Sequence, residues 1–263
     1  MTLSTPALVA HNIPWAGLGN RVRFTLSAQV IAERERRAFY YSWPVGPAFG
    51  AAFTDLWDYR AAEVPADVEP PTLTEKDDLT LLRDKQTWSV RSASPLRENG
   101  ADVPWGDVLA RLTPAPELAH RIDDFRREHL PGRYVGVQVR ANEKTHAKTL
   151  EASPVSWFTG RMREILDADP RARFFLSCDE PGAQEQILSE FPSAVALHDK
   201  GGYNSREGIR ASVVDLHLLA GATHLLGPYW SSFVDLAWIM SGKAINLETS
   251  QRTNKAQTAV PSA

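Results

Sequence analysis

The sequence predicts an α/β protein of two Rossmann-like domains with mainly parallel sheets. Three observations predict it. Residues 7–43 read as strand, glycine-bearing turn, helix and strand, the smallest unit of a parallel sheet. Between residues 134 and 247, apolar strand runs alternate with helical patterns, as a doubly wound sheet requires. The chain has 263 residues, long for one domain and right for two of about 130.

The first strand is 7–11 (ALVAH). A helix follows over Asn20–Arg37, with Val22, Leu26, Val30 and Ile31 on one side and a charged ERERR end. The strand 38–43 (AFYYSW) is stopped by Pro44. Pro65, Pro70 and Pro71 mark a loop, and 78–82 (DLTLL) reads as a strand or a helical turn. Helical patterns cover roughly 105–112 and 115–130, the second with Leu118, Ile122 and Phe125 on one face. The later strands are 134–139 (YVGVQV), 173–177 (RFFLS), 194–197 (AVAL), 224–227 (HLLG) and 244–247 (AINL). Ser153-Pro154 reads as an N-cap followed by proline, opening a helix to about Asp167. Helices at 181–190, 205–220 and 231–241 follow, the last with Gly242 as its C-cap. The HLPGR turn puts the domain boundary near 130, giving domains 1–130 and 131–248 and a polar tail at 249–263.

Composition excludes several classes. With 29 basic and 32 acidic residues the net charge is −3, which argues against a nucleic-acid binder. The single cysteine, Cys178, excludes an intrachain disulfide and a cysteine-built zinc site. No apolar run approaches the ~20 residues that span a bilayer, so stable membrane insertion is not expected. Met1–Pro14 lacks the pattern of a signal peptide, so a cytoplasmic protein is expected.

Three places carry candidate chemistry. In 16–22 (AGLGNRV) a glycine turn opens a helix, where backbone N–H groups can meet an anion. A plain tight turn and a dinucleotide site are both readings of it. The dinucleotide reading lacks the third glycine, replaced by Val22, and an acid at the end of the next strand. Asn20 and Arg21 add a third reading, polar contact with a ligand. In 135–144 (VGVQVRANEK) Arg140 stands where the strand ends, the place where open α/β sheets bind ligands, and a guanidinium there can grip a phosphate. Lys144 and His146 extend a cationic loop; solvated surface charge is the alternative. In 213–233 (VVDLHLLAGATHLLGPYWSSF) Asp215 sits in an apolar helix and needs a partner or an exposed face. Ser231 and Ser232 open the last helix, as a phosphate seat or as ordinary N-caps. Asp167 and Asp169 end a helix and read as structural. The motifs G-x-S-x-G and G-x-x-x-x-G-K-[ST] are absent.

GLGNR, a strand ending in WP, GVQVRANEK, FFLSCDE and VVDLHLLAGATHLLGPYWSSF stand in an order that resembles the fucosyltransferase-like superfamily, which includes nodulation and core α1,6-fucosyltransferases and protein O-fucosyltransferases. The resemblance covers about 12–44 and 100–248. It implies a GT-B architecture, two Rossmann-like domains facing across a cleft. The implied activity is inverting, metal-independent transfer from a GDP-sugar, usually GDP-fucose, to a small or oligosaccharide acceptor in a bacterial cytoplasm. No cofactor is implied beyond the GDP-sugar as co-substrate.

The resemblance assigns the β-phosphate contact to Arg140 and further donor contacts to Lys144, Asp179, Asp215, Ser231, Ser232 and Phe233, with Asn20 and Arg21 near the reacting sugar. The family's His two residues before the arginine is Gln138 here, and the catalytic Glu of core-type relatives is replaced by Lys148. Glu143, His146 and Glu151 are the bases in range, with departure-led transfer as the alternative. Trp43, Phe49, Phe53, Trp57 and Tyr59 are expected to form an acceptor surface or an ordinary core. A non-catalytic GDP-sugar or glycan binder and an NAD-dependent oxidoreductase are the other functions considered.

Overall fold

The computed structural model describes residues 6–64, 73–74, 79, 84–98, 101–104, 106–251 and 253–254. In chain order the elements are β1 (Ala7–Asn12), α1 (Leu18–Arg34), β2 (Ala38–Ser42), β3 (Trp57–Asp58), β4 (Ala62–Glu63), β5 (Leu73–Thr74), β6 (Thr87–Ser92), β7 (Arg97–Glu98), β8 (Ala101–Asp102), α2 (Gly106–Leu109), β9 (Thr113–Pro114), α3 (Pro116–His129), β10 (Val135–Val139), α4 (Ala147–Ala152), α5 (Val155–Ala168), β11 (Phe174–Cys178), α6 (Pro181–Glu190), β12 (Ala194–Ala196), α7 (Arg206–Ala220), β13 (His224–Gly227), α8 (Ser232–Met240), β14 (Asn246–Thr249) and β15 (Thr253–Asn254). They form two compact units, Met1–Pro116 with Asn204–Arg210, and Glu117–Tyr203 with Ala211–Ala263. The helix α3 thus groups with the second unit, where the sequence reading ends the first domain at 130. Pro65, Pro70 and Pro71 lie outside the described residues, as does 78–82 apart from Leu79.

The first unit is built on a sheet of order β4-β2-β1-β6-β5, every pairing parallel. Its centre, β1, is buried along its whole length, as a strand covered on both faces must be. The strand β6 pairs with β1 over six positions, yet no apolar run announces it. Only Trp88 and Val90 of TWSVRS are large buried apolar residues, and Arg91 is exposed. The helix α1 begins at Leu18 and ends at Arg34, short of the expected Arg37, because Arg36 turns into a left-handed conformation at φ 53°. The expected helix over 105–112 shrinks to the four residues of α2, and Thr113-Pro114 pairs instead with Trp57-Asp58.

One open reading of this unit is decided and one expectation is corrected. Trp43, Phe49, Phe53 and Trp57 are buried, and Tyr59 is half-buried. Phe53 meets Tyr41, Trp43 and Tyr59 at ring-centroid distances of 5.1, 4.6 and 4.9 Å, so these aromatics are core and no acceptor surface. Arg21, expected at a ligand, is 0% exposed. Its Nε donates to the Ala16 carbonyl at 2.8 Å, one Nη to Pro44 at 2.9 Å and the other to Pro14 at 2.6 Å. The guanidinium lies 4.0 Å from the Phe49 ring centroid, and burial pulls its pKa down to about 10. Arg21 therefore ties the glycine turn to the end of β2.

The second unit carries a sheet of order β12-β11-β10-β13-β14-β15, parallel except for the last pairing. Alternation divides β10 and β11 between two environments. Val135, Val137, Val139, Phe174, Leu176 and Cys178 join Phe158 and Met162 of α5 and Ile187 of α6 in one apolar core. Gly136, Gln138, Phe175 and Ser177 face the other way, toward α7 and α3: a Cβ at Gly136 would lie 3.1 Å from Leu219, and Phe175 meets Phe125 edge-on.

Four readings of this unit change. The loop after β10 contains a short helix, α4, opened by His146. Ser153 does not cap α5, whose N-cap is Pro154, because the Ser153 hydroxyl accepts from the Tyr229 N–H at 2.8 Å and lies 3.0 Å from Ser250 Oγ. The last parallel strand is 246–249 where 244–247 was expected, and the expected tail contributes β15. Gly242 lies one residue beyond the C-cap Ser241, at φ 64°, and donates to the Ile239 carbonyl. No helix among the described residues is long and apolar enough to cross a membrane.

Two outcomes test this account. Arg21→Met leaves three carbonyls without their donor, each unpaired buried group costing ~1–3 kcal/mol, so urea unfolding should show a loss of roughly 3 kcal/mol or more. A loss below about 1 kcal/mol would remove the structural role. The second outcome concerns His11, buried with Nε2 3.0 Å from Ser89 Oγ, whose pKa falls to about 4 through burial first and Arg91 second. The unfolded chain binds this proton first, so stability is intact above about pH 6.5 and falls as the pH drops toward 4, by up to ~1.4 kcal/mol per pH unit. His11→Gln should flatten the stability–pH slope in that window by one proton; an unchanged slope contradicts the assignment.

Candidate functional site

Parallel register builds the site. Val139 at the end of β10 pairs with Cys178 at the end of β11, so the next residues, Arg140 and Asp179, emerge side by side. Arg140 Nε lies 3.0 Å from Asp179 Oδ2. Asp179 Oδ1 accepts from the N–H groups of Ala141 at 2.7 Å and Asn142 at 3.0 Å, and Thr145 Oγ1 approaches Oδ2 at 3.4 Å. One carboxylate thus folds the β10–α4 loop back on itself. The Arg140 side chain remains 31% exposed. Its terminal amino groups have no partner among the described residues, which suits them to hold an anion.

The neighbouring strand β13 supplies the second part. A Cβ at Gly227 would come 2.6 Å from Val234 Cγ1, so glycine is what lets α8 pack closely on the end of β13. Ser231 is the N-cap of α8, its hydroxyl accepting from the Val234 N–H at 3.4 Å and donating to Gln138 Oε1 at 3.4 Å. Capping does not exhaust the helix start. Ser232 and Phe233, both half-buried, bring further N–H groups to a helix end that attracts negative charge. The hydrogen bond to Gln138, which lies on β10 two residues before Arg140, places this helix start beside the strand end.

The cationic loop is partly committed. Lys144 Nζ stands 5.6 Å from the Tyr203 ring centroid. His146 caps α4, its Nδ1 accepting from the Lys148 N–H at 3.2 Å. That bond puts the proton of the neutral ring on Nε2, leaving no free lone pair to act as a base. Glu143 is exposed on the loop, and Glu151 lies within α4 rather than at the start of α5. Asn20, half-buried in the first turn of α1, belongs to the first unit.

Asp215 lies beneath the strand ends. It is 5% exposed; Oδ2 accepts from Ser177 Oγ at 2.7 Å and from Lys200 Nζ at 3.1 Å, and Oδ1 is buried without a partner. Lys200 also donates to the Cys178 carbonyl at 3.3 Å. The carboxylate that the resemblance assigns to the donor is here engaged by a lysine that sequence reading passed over. Only the charge demand of a buried aspartate could have signalled it. Burial, above all, pushes the Cys178 thiol up to about 11, so it is a poor nucleophile. Asp169 accepts from the Arg171 N–H and closes α5, as expected of a structural residue. Among the described residues no three His, Cys, Asp or Glu side chains group as metal ligands.

Comparison of folds finds solved structures of the same architecture as this chain. It matches NodZ alpha-1,6-fucosyltransferase soaked with GDP-fucose at a TM-score of 0.63 and 18% identity, covering 92% of this chain and 94% of that one. It matches fucosyltransferase NodZ from Bradyrhizobium at 0.63 and 20% identity, over 89% and 92%. POFUT1 in its apo form matches at 0.62 and 9% identity, over 95% and 99%. The chain has the α/β, mainly parallel fold of these structures, as the sequence predicted. No family model and no curated protein matches the sequence.

The Asp215–Lys200 pair yields a prediction. Lys200→Met strands a buried carboxylate and should cost about 3–5 kcal/mol of unfolding free energy, and adding Asp215→Asn should restore most of it. The measurement is denaturant unfolding of the four proteins of the cycle. Additive losses would show that the two side chains do not interact.

Proposed function

We propose that the protein is a glycosyltransferase that moves a sugar, fucose, from a GDP-sugar to a small or oligosaccharide acceptor, with inversion and without a metal ion. The observation that carries this reading is Arg140, braced by Asp179 and adjoining the N-terminus of α8. A guanidinium and free helix N–H groups together neutralise a departing diphosphate, a large term when charge develops on the leaving group. Support for GDP comes from the shared fold: NodZ has been co-crystallized with GDP, and POFUT1 is known in complex with GDP-fucose. In this reading Lys144 adds a donor contact, Ser231, Ser232 and Phe233 present the helix start, and a cytoplasmic location goes with a nucleotide-sugar substrate.

Acceptor activation falls to Glu143, the exposed carboxylate three residues beyond Arg140, or to no base at all, with GDP departure leading. The capping bond of His146 removes it from that role. A second reading, a GDP-sugar binder without catalysis, draws on Lys148 at the position where core-type relatives carry their Glu. An NAD-dependent oxidoreductase is disfavoured by Arg21, which closes the glycine turn with its own guanidinium.

Calorimetric titration with GDP and NAD, together with an assay for fucose transfer from GDP-fucose, tests the reading. GDP should bind and NAD should not, and 1 mM-scale EDTA, in roughly tenfold excess over protein, should leave turnover unchanged. Arg140→Ala should weaken GDP by about 2–5 kcal/mol, or about 30-fold or more. Unchanged GDP affinity in a folded Arg140→Ala protein would sink the assignment. Glu143→Gln should lower the rate by ~10²-fold or more with GDP binding intact if Glu143 is the base. A few-fold change would instead favour departure-led transfer, and binding without any turnover would favour the non-catalytic reading.

A further inference from the structure

The solvent-facing aromatic residues of the second unit follow the strand ends: Tyr203 after β12, and Tyr229 and Trp230 after β13, at 44%, 37% and 64% exposure. Trp230 is the most constrained of them. Its backbone is left-handed at φ 66°, a conformation a bulky side chain rarely adopts. An indole left largely in water recovers little of that strain by burial. The surroundings nevertheless hold it. The Tyr229 N–H donates to Ser153 Oγ, fixing the turn, and the Tyr229 ring stacks at 6.5 Å and 30°. The His146 ring meets Trp230 edge-on at 5.5 Å, and Lys148 Nζ lies 5.5 Å from its centroid.

We propose that Trp230 is the stacking platform for the pyranose ring of the acceptor saccharide, with Lys148 and His146 donating to its hydroxyl groups. The indole face is electron-rich and attracts the polarised C–H bonds of a sugar, as it attracts cations. The flanking polar groups suit the hydroxyl groups of a sugar. The Lys148 ammonium is a donor, and so is His146 Nε2, since Nδ1 is occupied by the α4 cap. Saccharide hydroxyls accept readily from such donors; the O6 and N7 of guanine accept too, so the effect on GDP affinity is what separates a sugar from a base. Trp230 immediately precedes Ser231, so a sugar stacked on it stands next to the helix start assigned above to the diphosphate. The acceptor role rests on that assignment; the stacking does not.

The test is saturation-transfer NMR and affinity measurement with methyl β-D-glucopyranoside, cellobiose and N,N′-diacetylchitobiose, each with and without GDP. The proteins are wild type, Trp230→Ala and Trp230→Phe. At least one saccharide should bind the wild type with its axial C–H face saturated. Trp230→Ala, which removes the ring and keeps the Cβ, should weaken that saccharide by about fivefold or more while Trp230→Phe retains it, with GDP affinity changed by less than about twofold. Equal saccharide binding by wild type and Trp230→Ala overturns the proposal, as does binding of none of the three by the wild type. Loss of GDP affinity in Trp230→Ala with saccharide binding unchanged overturns it in favour of base stacking. If GDP fails to bind the wild type, the donor reading falls, and the GDP-free saccharide measurements still decide the platform.

Discussion

The carboxylate of Asp179 holds together the end of the second sheet on which the candidate site depends. It pairs with a guanidinium and accepts from two consecutive backbone N–H groups, all within about three ångströms, and a hydroxyl lies slightly farther off. These partners belong to a loop that would otherwise leave β10 with unsatisfied backbone groups. The arrangement is available only because β10 and β11 run parallel and in a register that ends them together. A slip of one residue would turn every side chain of β10 to the opposite face and separate Arg140 from its partner. The geometry of the loop, the cap of α4 and the presentation of Arg140 all follow from this register.

The two faces of that sheet do different work. One is dry: the valines of β10 and Phe174, Leu176 and Cys178 of β11 against α5 and α6. The other interrupts its apolar packing with Gln138, Ser177 and Asp215, joined outward to Ser231 and Lys200. Buried polar groups of this kind contribute little net stability, and an ion pair away from water is weak evidence for any. They do restrict how the strand ends, α7 and α8 can sit against one another, since each alternative leaves a charge or amide unpaired. Within this unit, stability resides on the dry face and positional precision on the polar one.

Strand–helix alternation and the unbroken apolar runs made most of the second unit legible, as did AFYYSW and ALVAH in the first. The strand β6 was hidden because its two large apolar residues, Trp88 and Val90, are separated by serine and followed by arginine, and its place beside β1 is decided by tertiary pairing. Arg140, Asp179 and Ser231 could be located because strand ends and helix starts are punctuated in sequence. Long-range partnership was illegible. Nothing local says that Arg21 turns inward onto three carbonyls, that Lys200 reaches Asp215, or that Ser153 bonds Tyr229 rather than capping a helix. The aromatic cluster around Phe53 shows the same limit, since composition cannot tell a ring that binds from a ring that packs.

The solitary thiol of Cys178 has a practical consequence. It terminates β11, one residue before Asp179, shielded from solvent and with a proton held tightly by burial. A maleimide or disulfide reagent can reach it only when the edge of the sheet opens. With no second sulfhydryl in the chain to compete, the labelling rate under native conditions is a clock for that opening. Any molecule that seats on Arg140 and its brace would slow the clock, so occupancy of the strand ends can be followed without a substrate, a chromophore or turnover.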